Sequence, residues 1–194
     1  IFNQSINHYH IDDDVDAIFQ NPFTEDTLDH LLYQKNWIDT VQWHLEDIIR
    51  DPEIDPVDAL KVKRRIDKSN QDRTDLVEKL DEYFYNQFKS VTAVSDPKLN
   101  TETPAWALDR LSILQLKIYH LQLETERDDV AVDHRNKCAT KLLVLQEQEK
   151  DLSIAINDLK NDLENGRKVM KLYKQMKMYN EESLNPVLYK KSRS

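Results

Sequence analysis

The sequence predicts an all-α protein, an up-down bundle of four long helices with a short N-terminal helical arm and a short C-terminal basic helix. Three observations carry this. The chain has one glycine in 194 residues, so it has few positions for the tight turns of β-hairpins. Charged residues make up 32% of it, and its apolar residues recur at helical rather than alternating spacing over long breaker-free stretches. The stretch TETPAWALDRLSILQLKIYHLQLETER, residues 101–127, is apolar around more than half a helical circumference, which requires cover on several sides. It is the expected central helix.

The length fits one domain, residues 1–194, that buries about 70% of the surface exposed by its unfolded chain. Residues 1–23 read as an arm, with DDDVDAIFQ as a short helix capped by Asp12 to Asp14. Residues 24–166 read as the bundle. Thr24 is the expected cap of its first helix, whose stripe Leu28, Leu31, Ile38, Val41, Leu45 and Ile48 runs to Arg50. Asp55-Pro56 starts the second, which extends to about Lys89 with Val62, Ile66, Val77, Leu80 and Phe84 on one face. Residues 91–100 form a loop. Thr103 caps the central helix with Pro104 in its first turn, where the missing N–H costs nothing. The last long helix starts near Asp128-Asp129, carries the seam Cys138, Leu142, Leu145, Leu152, Ile156, Leu159 and Leu163, and ends at Gly166. Residues 167–194 read as a short amphipathic helix to Tyr179 and a tail.

Net charge of −9 and pI near 5.2 disfavour nucleic acid and anionic membrane as partners of the whole molecule. The single cysteine, Cys138, has no internal disulfide partner. No apolar run approaches the roughly 18 residues that span a bilayer. A soluble cytoplasmic protein is the expectation.

Function is sought where polar residues interrupt the apolar stripes. Gln34 and Lys35 break the first helix, Ser69, Asn70 and Arg73 the second, and Glu149 the fourth, so three helices carry polar groups toward the axis near mid-length. Charges there need partners, and Arg73 with Glu149 is the expected pair. Two readings follow. In one, Lys35, Asn70, Arg73 and Lys117 bind a small anionic ligand and Glu149 is the candidate catalytic acid-base. In the other, the layer is a buried ion-pair network that sets helix register, and the protein is a helical interaction or accessory protein with a protein partner or a second copy of itself.

Other constellations are weaker. The six histidines, His8, His10, His30, His44, His120 and His134, lack zinc-ligand spacing, and no Glu-x-x-His motif of a di-iron bundle is present, so neither metal nor cofactor is expected. His120 and Glu124 lie one turn apart, but Asp109 is roughly 16 Å away along the helix. Arg127-Asp128 with His134 resembles the short motif of HEPN-type helical ribonucleases. The run LKVKRRIDKSNQDRTDLVEKL is similar to the first helix of all-α chorismate mutases, over that one helix. Lys168, Lys171, Lys174 and Lys177, interleaved with Met170, Tyr173, Met176 and Tyr179, form either an anion or partner surface or the solvated face of a docked helix. Trp37, Trp43 and Trp106 read as packing residues rather than a stacking platform.

At KNWIDTVQWHLED, IDKSNQDRTDLVE, NTETPAWALDRLSILQLKIYH, YKQMKMYN and NPVLY the chain resembles a bacterial all-helical family of unknown function, domain of unknown function 4254. The likeness covers residues 31–189. It implies no activity and no catalytic residues. Trp37, Asp39, Asn70, Arg73, Trp106, Asp109 and Arg110 are its recognisable positions, and it implies an association with envelope-sugar biosynthesis.

Overall fold

A computed structural model describes residues 1–174 and 183–184. Five helices account for most of it: α1 Phe2–Asp12, α2 Leu28–Ile49, α3 Pro56–Phe88, α4 Pro104–Glu126 and α5 Val132–Glu164. Two short parallel strands, β1 Lys98–Leu99 and β2 Lys168–Val169, pair Lys98 with Lys168 and Leu99 with Val169. The fold is an all-α bundle.

The caps explain the boundaries. The Asp55 side chain accepts from Val57 N and Asp58 N, and the Thr103 hydroxyl accepts from Trp106 N, with Pro56 and Pro104 at the first helical positions. Helix α2 starts later than Thr24. Asp26 sits at φ 62°, a left-handed conformation that interrupts any helix from Thr24, and Thr27 takes the cap by accepting from His30 N. Helix α5 ends as expected: Gly166, at φ 66°, donates its N–H to Leu163 O, and Arg167 N bonds Asp162 O, the paired bonds of a Schellman ending.

Two segments differ from the sequence reading. The N-terminal helix lies at Phe2–Asp12 and not within DDDVDAIFQ, because Asp13 adopts φ 49°, ψ 44° and terminates it. It is no loose arm. Phe2, Ser5, Ile6 and Tyr9 are buried against the bundle. The expected basic helix from Arg167 does not form over the described residues 167–174, of which Lys168–Val169 are a strand. Val94 N donates to Gly166 O and Lys98 N to Arg167 O, so the 91–100 loop holds this backbone as strand β2. Residues 175–182, including Met176, Lys177 and Tyr179, lie outside the described residues.

Helix α4 packs against α1, α2, α3 and α5, the central position its wide apolar arc requires. Phe2, Leu32, Val77, Leu80 and Ala105 form one core cluster, and Tyr9, Tyr33 and Trp37 form another where α1 meets α2. A third joins Phe84 and Phe88 of α3 to Leu159 and Leu163 of α5. Among the described residues no helix is long and apolar enough to cross a membrane.

Candidate functional site

Three helices place charge in the bundle interior. One turn of α2 supplies Lys35 and Asp39, α4 supplies Asp109 and, three residues on, Ser112, and α3 supplies Arg73. Lys35 is fully buried and reaches both Asp39 and, at 2.9 Å, Asp109. Arg73 donates from Nε to Asp109 Oδ1 at 3.0 Å and from Nη2 to Oδ2 at 2.6 Å, and lies 3.4 Å from Asp39 Oδ1. Ser112 Oγ donates to Asp39 Oδ2 at 2.6 Å and accepts from Asn36 Nδ2 at 3.0 Å. Two cations thus face two carboxylates, so burial leaves no net charge in the apolar interior. Burial raises the Asp39 carboxyl above its ordinary range, against the pull of Lys35. Burial also acts upward on Asp109, but the hydrogen bonds and charges of Arg73 and Lys35 outweigh it and hold that carboxyl low.

The layer inferred from sequence is only partly assembled. Lys35 and Arg73 share the carboxylates of Asp39 and Asp109. Arg73 does not pair with Glu149, because Asp109 on the intervening central helix takes it. Glu149 accepts from Gln115 Nε2 at 2.6 Å and lines a different cavity, of about 360 Å³, with Asn3, Asn7 and Tyr119. Asn70 accepts from Gln42 Nε2 at 2.9 Å at the outer edge of the α2–α3 contact. Lys117 is exposed, away from the quartet.

The remaining candidates bind the protein's own acids. Lys168 pairs with Asp162, and Lys174 with Glu78 and Glu82, which lowers the anion-binding capacity of that face; Lys171 is exposed. Glu124 bonds Arg127 and His134 on the surface of the α4–α5 turn, bridging the two residues of the ribonuclease-like motif. His120 points elsewhere.

Beside the quartet, a cavity of about 250 Å³ is lined by Asp39, Gln42, Trp43, Asp47, Arg50 and Arg73, together with Glu46. Near Trp43, three histidines from three helices converge. His120 of α4 stacks on Trp43 with centroids 4.8 Å apart, His44 of α2 stacks on Tyr9 at 5.0 Å, and His10 of α1 lies edge-on to both histidines. One nitrogen from each lies within 4.8 Å of the others. Burial, and then His44 and His10, push His120 down to about 4, so that ring is neutral at pH 7; burial, and then His10, lowers His44 below its ordinary value. The sequence reading missed this cluster because its members are 34 and 76 residues apart and share no local spacing. It also missed the inward roles of Asp109 and Ser112, single polar positions on a helix whose apolar arc is wide; Asp39, Arg73 and Asp109 do stand among the family's recognisable positions.

No curated protein and no solved structure matches the chain. The family described as protein of unknown function (DUF4254) matches residues 29–172, which include the whole charged quartet, and the chain belongs to that family.

Proposed function

We propose that the protein is a cytoplasmic helical interaction protein that self-associates through the outer face of α5, with the Lys35–Asp39–Arg73–Asp109 quartet as a structural register device. One observation carries the assembly reading. Helix α5 is 33 residues, about 50 Å, long and packs along α4, leaving Val132, Leu143 and Ile154 exposed at 61%, 67% and 52%. These three are spaced by eleven residues, three turns plus about 20°, so they share one line of the helix. The line is symmetric about Leu143. A two-fold antiparallel pairing therefore sets Leu143 against its own copy and Val132 of one chain against Ile154 of the other. The lone cysteine supports a reducing compartment, and the family resemblance suggests envelope-sugar enzymes as the setting. Light scattering on the purified chain tests the reading. A dimer that becomes a monomer in Leu143→Glu supports it; a wild-type monomer at all accessible concentrations overturns it.

A second reading rests on Asp39 Oδ1, a buried acceptor without a hydrogen-bond partner among the described residues, at the wall of the 250 Å³ cavity. Asp39, Glu46 and Asp47 outnumber the arginines there, and Arg50 is already paired with Glu46 and Asp47. The cavity suits a small cationic hydrogen-bond donor better than the anion expected from sequence. Native mass spectrometry of protein from its own host reads both cases, as subunit number and retained mass.

A further inference from the structure

We propose that His10, His44 and His120 bind a divalent transition-metal ion of the zinc class, with Asp13 as the fourth ligand. His10 Nδ1 lies 2.7 Å from the carbonyl of Ile6, which can only accept, so Nδ1 carries the proton and Nε2 presents its lone pair inward. That nitrogen is 3.2 Å from His44 Nε2. An ion held tetrahedrally at 2.0–2.1 Å spaces its ligand nitrogens by about 3.3 Å, so the His10–His44 separation already matches one edge of such a site.

The third histidine decides between an ion and a simple hydrogen-bonded pair. His10 and His44 could satisfy each other with one N–H···N bond. His120 Nε2 is also buried and has no hydrogen-bond partner among the described residues, which is costly for a polar nitrogen. An ion at the convergence point uses all three lone pairs. The fourth position is at hand: Asp13 Oδ1 lies 4.0 Å from His10 Nε2 and 3.9 Å from His44 Nε2. Asp13 follows the last residue of α1 in a left-handed conformation, and its side chain is 61% exposed, so it can swing inward as the ion enters. The rings are held in place by their neighbours: the Ile6 carbonyl on His10, Tyr9 beneath His44 and Trp43 beneath His120. Three nitrogens and one carboxylate oxygen suit zinc, with cobalt as its spectroscopic substitute, rather than calcium or magnesium. Because the ligands come from α1, α2 and α4, the ion clips the N-terminal helix to the bundle.

The test uses the tag-free full chain, stripped with chelator and titrated with cobalt(II) chloride while visible ligand-field absorption is recorded. The expected result is saturation at one equivalent per chain with the intense bands of tetrahedral cobalt, bleached by one equivalent of zinc. His120→Phe, which keeps a ring on Trp43, loses this uptake while its circular dichroism remains helical. Asp13→Asn retains it with a changed spectrum. Should His120→Phe fail to fold, His10→Gln serves in its place. Absence of stoichiometric uptake by the wild type, or undiminished uptake by a folded histidine variant, overturns the proposal.

Discussion

Arg73 grips Asp109 through two hydrogen bonds, from Nε and Nη2, and so ties α3 to the central helix at a point where Asp39 of α2 also looks for charge. Arg73→Ala leaves two buried carboxylates facing Lys35 alone. Removing one member of a buried ion pair costs about 3–5 kcal/mol, and the lower end applies because 26% of the Arg73 side chain is exposed. Urea unfolding should show a reduced midpoint with little change in slope. Adding Asp39→Asn should recover part of the loss, since it removes the charge that Arg73 had shared; strict additivity of the two substitutions would show that the quartet does not act as a unit.

Acid should attack the same place. Asp109 is ionised more readily in the folded protein than in the unfolded chain, so its contribution is present above the unfolded carboxylate value of about 4 and is lost as pH falls through the lower folded value. Asp39, shifted upward, acts in the opposite sense and gains stability as pH falls toward about 4. The stability gap between wild type and Asp109→Asn, measured by denaturant titration, should therefore narrow from about pH 7 to about pH 3. A gap independent of pH would mean that Asp109 does not contribute as an anion.

Gly166 cannot be replaced without backbone movement. At φ 66°, an alanine pays about 1–2 kcal/mol for the left-handed conformation, and its Cβ would stand 2.3 Å from the Thr92 carbonyl oxygen. Gly166→Ala should lower the thermal midpoint by more than an exposed helix substitution does. Hydrogen exchange should rise first at Val94 and Lys98, whose N–H groups bond this segment.

The N-terminal helix carries a paired prediction. Ile6 is fully buried and Ile11 is 76% exposed on the same helix. Ile6→Ala should cost about 2–5 kcal/mol through lost burial and the cavity left behind, whereas Ile11→Ala should stay within about 0.5 kcal/mol of wild type. Equal effects in thermal unfolding would place α1 off the core.

The legible part of this molecule is the part governed by local rules. The helices of the bundle, Pro56 and Pro104 in the first turns of α3 and α4, the cap Thr103, the Gly166 ending and the central rank of α4 follow from periodicity, side-chain capping and backbone chirality, which act over one or two turns. Local signals also misled. Three acids in a row at Asp12 to Asp14 look like a helix start, yet Phe2, Ile6 and Tyr9 gain more by burying a helix upstream of them. Lysine and methionine spacing after Gly166 looks helical, yet Val94 and Lys98 donate their N–H groups to the Gly166 and Arg167 carbonyls and Lys168–Val169 form a strand.

By itself the sequence determined that polar groups would enter the bundle, since Lys35 and Arg73 interrupt apolar stripes that must be buried. Only the tertiary structure decided what they meet. Helix rotation turns Asp109 inward and leaves Glu149 with Gln115 on the other side of α4, so the cation of α3 pairs with the nearer carboxylate. The same packing draws His10, His44 and His120 into one cluster from three separate helices. Such meetings depend on the register and crossing of whole helices, which no short window of residues contains.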